Sequence, residues 1–273
     1  MTDKKDIKKA TITTPMALAE LDSALEAKNV KRKQIVAAKV ICWDQTNKGL
    51  ICFLGNTIRG FIPEEEVSIY PSKDKDGTPS EATFVIRKNI IAEVIDYNSD
   101  RTEFILSRKN AMAKRVQELR ESEITTAYVT VVRKGDIFCD VGSGVSARID
   151  FREITSCYME DMAYLGYHVG QEIEVKVLDI QEGKVNLSRR KLYPEYNMSD
   201  FNPGDIVKAR ILADLNRPMA TITCPYAYCL EIEDNPNVKG IMDSEIPLEK
   251  GSIITASVRN ASDRGVRLVL LSI

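Results

Sequence analysis

One short strand ending recurs three times along the chain, as Phe104-Ile105-Leu106-Ser107-Arg108-Lys109, Val185-Asn186-Leu187-Ser188-Arg189-Arg190 and Val269-Leu270-Leu271-Ser272. The copies stand roughly 80 residues apart, the size of one small β-domain and too long for the unit of a solenoid. A β-rich opening precedes each copy, at Ile35–Val40, Ile124–Val129 and Ile206–Ile211. Few small β-barrels are used in tandem, and most of those hold nucleic acid, so the repeat narrows the function along with the fold.

In the first repeat, strand patterns fall at Ile35–Trp43, Gly49–Leu54, Ile58–Ile62, Ile90–Tyr97 and Glu103–Ser107, with turn residues at Asn47-Lys48-Gly49 and Gly55-Asn56. Pro71 to Ser80 is polar and turn-rich and reads as a surface excursion. The second repeat offers Val129–Arg133, Ile137–Val141, Val145–Ile149, Ile173–Ile180 and Lys184–Ser188, with a tight Gly142-Ser143-Gly144 turn and a short helix plus loop from Ile154 to Tyr167. The third opens at Pro203-Gly204-Asp205 and has longer turns at Asn216-Arg217-Pro218 and Asp234–Asn237. Five strands in this order suit a small Greek-key barrel of the OB type.

Two helices are expected as well. Thr14 reads as an N-cap and Pro15 as the first helical residue, with Leu18, Leu21 and Leu25 on one face of a helix ending near Asn29. Such a helix either packs on the first barrel or binds a partner. Met112, Val116 and Leu119 mark a second helix between repeats. The expected fold is therefore all-β: three tandem five-stranded barrels with an N-terminal helix and short linker helices. The boundaries read as a basic tail and amphipathic helix over 1–32, repeats over 33–110, 122–191 and 203–273, a helical spacer over 111–121 and a linker over 192–202.

The net charge of −2 argues against a strong duplex-DNA binder, which needs many cations, but leaves single-strand binding open. The basic excess lies in the first 33 residues, at about +3. None of the six cysteines forms a C-x-x-C pair and His168 is the single histidine, so the spacing suits no structural zinc site. The cysteines read instead as reduced strand residues. The lone histidine excludes most histidine-based triads, and no Gly-rich loop with Lys-Ser/Thr cradles a phosphate. Glu64-Glu65-Glu66 reads as a charged turn. No enzyme activity and no cofactor are expected. The polar N-terminus has no apolar stretch of signal-peptide type and no run is long enough to span a bilayer, so a cytoplasmic protein without a membrane partner is expected.

The first repeat carries Lys48-Gly49-Leu50-Ile51-Cys52-Phe53-Leu54-Gly55, then Ile58-Arg59-Gly60-Phe61-Ile62-Pro63, Ala92-Glu93-Val94-Ile95-Asp96 and the Leu-Ser-Arg ending. The second carries Phe138-Cys139-Asp140-Val141-Gly142, Val169-Gly170-Gln171-Glu172-Ile173 and Leu187-Ser188. These residues resemble the S1 domain, the OB-fold repeat of the ribosomal protein S1 family, and Leu18 to Leu25 resembles the helix that precedes such repeats there. The resemblance implies RNA held on one sheet face, with bases stacked on aromatic rings and the backbone on Lys and Arg.

Carried over position by position, the resemblance implies Phe138 as the strand-two aromatic, with Ile51 and Cys229 in its place in the other repeats. Lys48, and in the third repeat Tyr226, stand before the Gly turn. Arg101, Lys184 and either Arg264 or Arg267 hold the basic position, and the family's histidine position holds Pro63, Asp150 and Asp243, of which the two carboxylates would repel phosphate. Trp43, Arg59, Phe61, Arg108, Arg189 and Arg190 complete the candidate RNA contacts.

Two functions follow. One is a non-enzymatic protein similar to ribosomal protein S1 that holds single-stranded RNA, an mRNA, in translation or RNA metabolism. The other is a docking adaptor that meets the small ribosomal subunit, a ribosomal protein or another assembly through its barrels and N-terminal helix. A monomer is expected in either case.

Overall fold

A computed structural model of the chain describes residues 9–10, 30–55, 58–70, 72–157, 162–215 and 224–273. The basic tail and the helix expected over 15–29 lie outside the described residues. Strand β1 is a two-residue piece, Lys9–Ala10, parallel to Ile124 and Thr125.

The first barrel is built from β2 (Ile35–Asp44), β3 (Gly49–Leu54), β4 (Ile58–Pro63), β5 (Asn89–Tyr97) and β6 (Glu103–Ser107). It closes in the order β2-β3-β4-β6-β5, with β4 and β6 parallel and the other pairs antiparallel. Alternation explains the inside. Val36, Ala38 and Val40 point inward from β2, and Leu50, Cys52 and Leu54 from β3. A register shift between Val40 and Cys42 bends β2, the device that lets one long strand serve both sides of a small barrel. Phe104 is fully buried, its ring 5.5 Å from Tyr97, and truncating a phenylalanine so placed costs about 3–5 kcal/mol.

The excursion after β4 contains a bridge between Lys73 and Pro79 and a short helix, α1 (Ser80–Val85), that sequence reading missed. Helix α2 (Arg108–Arg120) is the expected spacer, begun earlier than the apolar spacing suggested. Met112, Val116 and Leu119 are all buried. It is also tied by polar groups. Arg115 donates from Nε to the Val141 carbonyl at 2.7 Å and from Nη2 to Thr125 at 3.0 Å.

The middle barrel consists of β7 (Ile124–Val132), β8 (Asp136–Asp140), β9 (Ser146–Asp150), β10 (Glu172–Gln181) and β11 (Lys184–Ser188), in the order β7-β10-β11-β9-β8, closing through β7 and β8. The third comprises β12 (Ile206–Asp214), β13 (Tyr226–Ile232), β14 (Asn235–Ser244), β15 (Ile253–Ser262) and β16 (Gly265–Ser272), and closes as β12-β13-β14-β16-β15. The three barrels thus share one strand order, first-second-third-fifth-fourth, as the threefold sequence pattern implied. The third repeats the bend of β2, with its own register shift between Ile211 and Ala213.

By compactness the chain divides into two units. One runs through Ala127 and takes in 140–147 and 179–185; the other holds 128–139, 148–178 and 186–273. Cys52, Cys139, Cys157 and Cys229 are buried in or beside the barrels, and burial alone pushes the Cys52 thiol up to about 12. Among the described residues no helix is long and apolar enough to cross a membrane.

Candidate nucleic-acid interface

The recurrent Ser-Arg pair is a structural device. Ser107 ends β6 and its hydroxyl accepts the Asn110 N–H at 2.8 Å, capping α2. Ser188 ends β11 and accepts the Lys191 N–H at 3.0 Å, starting a short 3-10 turn over Arg190–Leu192. The arginine after each serine then turns inward. Arg108 is 3 % exposed and donates to the Val67 carbonyl at 2.9 Å, Glu81 at 3.0 Å and the Gly144 carbonyl at 3.4 Å. Gly144 has φ +73° and is fitted to it: a Cβ there would lie 2.5 Å from Arg108 Nη2. Arg189 donates to the Tyr167 hydroxyl at 2.8 Å and to Glu231 at 3.4 Å, with its guanidinium over the Tyr167 and Tyr193 rings. Glu231 also holds the buried ammonium of Lys239. Burial pushes the Tyr167 phenol up to about 12 and lowers Lys239, which Glu231 partly offsets. Arg108 is thus a buried anchor rather than an open phosphate contact, and the partly buried Arg189 is engaged by Tyr167 and Glu231.

The outward face of the middle barrel is different. On β8, Asp136 and Phe138 share one side by alternation, while Ile137 and Cys139 enter the core. Phe138 is half-buried, and the exposed Arg133 places its guanidinium 4.9 Å from the ring centroid. On the neighbouring β9, Arg148 and Asp150 face outward while Ala147 and Ile149 are core. Arg148 donates to Asp136 at 3.0 Å and to Asp150 at 3.3 Å. Just after β9, Phe151 is exposed, its N–H bonded to the Gly135 carbonyl at 3.1 Å and the Arg152 guanidinium 5.5 Å from its ring. The turn after Arg133 thus gathers two aromatic rings, each accompanied by an arginine. Of these residues only Phe138 was named from sequence as an RNA contact. Asp150, expected to repel phosphate, is instead neutralised by Arg148 and Arg152.

The remaining candidates do not gather into one site. In the first barrel, Phe61 lies over Gly49, where a Cβ would be 2.3 Å from the ring, so this aromatic is fastened to its own sheet. Lys48 is exposed with φ 49°, in the turn before Gly49. Arg59 pairs with Glu103 at 3.4 Å. Trp43 packs against the barrel core, and its Nε1 is buried without a hydrogen-bond partner among the described residues. Arg101 lies 4.7 Å from the Tyr97 ring centroid and donates to the Val30 carbonyl at 3.3 Å. Lys184 is exposed at the start of β11, and Arg190 is clasped by Glu195, with Nε 2.9 Å and Nη2 2.6 Å from one carboxylate oxygen. In the third barrel Tyr226 is half-buried, its ring parallel to that of the buried Tyr228 at 6.4 Å. At the place Phe138 holds in the middle barrel, Cys229 is buried in an apolar cluster with Tyr164, Leu212 and Ile241.

Residues 118–190, which contain the whole of this open face, match the family described as S1 RNA binding domain. The middle barrel is an S1 domain. The chain is 25% identical over 176 residues to small ribosomal subunit protein bS1c of Spinacia oleracea, covering 64% of this chain and 38% of that protein. It is 23% identical over 192 residues to small ribosomal subunit protein bS1 of Mycobacterium leprae (strain TN), covering 67% of this chain and 38% of that protein. The match thus spans well under half the length of these S1 relatives. Among solved structures, a chain in the crystal structure of the a/eIF2alpha-aDim2p-rRNA complex from Pyrococcus horikoshii OT3 is 22% identical, with a TM-score of 0.24, over 25% of this chain and 43% of that chain.

Proposed function

We propose that this chain is a non-enzymatic RNA-binding protein that holds single-stranded RNA on the open face of its S1 domain. The observation that carries the reading is the half-buried Phe138 with the Arg133 guanidinium 4.9 Å from its ring, on an outward sheet face. A ring held half-open by its sheet accepts a base by stacking, and a nearby guanidinium can extend the stack or take the adjoining phosphate. Phe151 with Arg152 supplies a second ring at the same end. These groups bind and position; none of them forms a nucleophile–base pair. In this reading the chain works as a monomer in the cytoplasm without a cofactor, and the RNA is an mRNA handled in translation or RNA metabolism.

Fluorescence anisotropy with labelled single-stranded RNA over a salt series tests this. Binding in the micromolar range is expected, weaker for duplex, and declining with salt as phosphate contacts are screened. Tighter binding to duplex, or no binding at low salt, would overturn it. The docking reading is favoured by one observation: the third barrel's equivalent face is covered, while Ile206 of β12 and Val269 and Leu271 of β16 are exposed. Co-sedimentation with purified small ribosomal subunits, with and without nuclease, separates docking through protein from docking through RNA.

A further inference from the structure

We propose that the open face of the S1 domain selects guanine, read by the carboxylates of Asp136 and Asp150. This rests on the RNA-binding reading above and adds a base preference to it. Asp136 and Phe138 share the outward side of β8, and Arg148 and Asp150 that of the adjacent β9, so a base stacked on Phe138 brings its edge toward these groups. The carboxylates are already positioned. Arg148 bridges them, with Nε 3.0 Å from Asp136 Oδ2 and Nη2 3.3 Å from Asp150 Oδ2. Arg152 donates its N–H at 3.1 Å and its Nε at 3.2 Å to Asp150 Oδ1. Partial burial pushes the Asp150 carboxyl up, but the Arg152 N–H and guanidinium and the Arg148 charge outweigh it and hold it below the ordinary aspartate value.

Acceptor capacity remains after these bonds are counted. A carboxylate oxygen takes about two hydrogen bonds. Asp150 Oδ2 carries one, and Asp136 Oδ1 carries none from the described residues. Both side chains are partly shielded, at 17% and 29% exposure, so water competes less for the free positions. The site therefore offers fixed acceptors beside a stacking ring. Arg148 and Arg152 are balanced by Asp136 and Asp150, while Arg133 lies at the Phe138 ring. Guanine is the base whose Watson–Crick edge places two donors side by side, N1–H and N2–H, to meet a carboxylate. Uracil, adenine and cytosine each offer one donor next to an acceptor, which a carboxylate repels.

The test uses the full chain and labelled U-rich RNAs of about eight nucleotides with one central G, inosine, A, C or U. The G-containing RNA should bind about tenfold tighter than the U-only RNA, the effect of one or two good hydrogen bonds. Inosine, which lacks the N2 amino group, should lose most of that gain. Asp136→Asn and Asp150→Asn should each shrink the preference for G over U to about twofold or less. Equal affinity for all five RNAs, or a guanine preference that survives both substitutions, would overturn the proposal and leave RNA binding standing. Absence of binding to any of them would overturn both.

Discussion

The second and third barrels close with the same strand order but treat the same face oppositely. Phe138 of β8 and Cys229 of β13 occupy equivalent strand-two places. The first faces outward beside Arg133; the second is buried in an apolar cluster with Tyr164, Leu212 and Ile241. The 3-10 turn Met162–Leu165, which brings Tyr164 to this cover, belongs to the middle barrel's own excursion. A shared fold therefore does not present the same surface. What lies over the face decides whether a barrel can offer a stacking platform, and here Tyr164, from the excursion between β9 and β10, joins Leu212 of β12 and Ile241 of β14 in closing it.

The largest effect that would test this contrast lies at the anchors beside the covered barrel. Arg189→Ala should lower unfolding stability by about 2–3 kcal/mol, the scale of hydrogen bonds made by a charged group in a partly buried setting, with Lys239 remaining on Glu231. RNA affinity of the folded variant should hardly change. Urea unfolding with parallel anisotropy checks both; a variant of normal stability and weakened binding would return Arg189 to the phosphate contacts. Cys229→Phe, which copies the middle barrel's residue into the third, should cost about 1–3 kcal/mol by overpacking and add no RNA binding. Gain of a second binding site would break the comparison.

Phe138→Ala should weaken RNA binding by about 1–3 kcal/mol, as for a lost base stack. Its melting temperature should fall by far less than for a core phenylalanine such as Phe104, whose truncation costs about 3–5 kcal/mol. The smallest effect is expected at Arg133→Ala: affinity reduced by about 0.5–1 kcal/mol, with a salt slope shallower by about one if the guanidinium takes a phosphate. An unchanged slope would assign Arg133 to the ring alone.

The barrels were legible because alternation and turn residues are local. The ends of β3 and β6 were read to the residue from Gly49–Leu54 and Glu103–Ser107. Helix α1 was not, because its start at Pro79-Ser80 sits inside a polar stretch that reads as loop. The Ser-Arg ending was recognised as a repeat and misread as a basic surface, since nothing local shows that Val67, Glu81 and Gly144, or Tyr167 and Glu231, wait as partners. Phe138 was legible from the family pattern. Arg148 and Phe151 were not, although alternation along β9 would have set Arg148 beside Asp150 and opposite the β8 side chains. Phe151 is brought to the site by its bond to Gly135, a pairing that sequence distance hides.

Photo-crosslinking of the full chain to 4-thiouridine RNA, mapped by mass spectrometry, tests most directly that RNA lies on the open face of the S1 domain. Crosslinks should concentrate between residues 133 and 152, at Phe138 and Phe151 above all, and fall away in Phe138→Ala. Crosslinks centred on Tyr226 to Asp243 of the third barrel, or an unchanged map in Phe138→Ala, would contradict it.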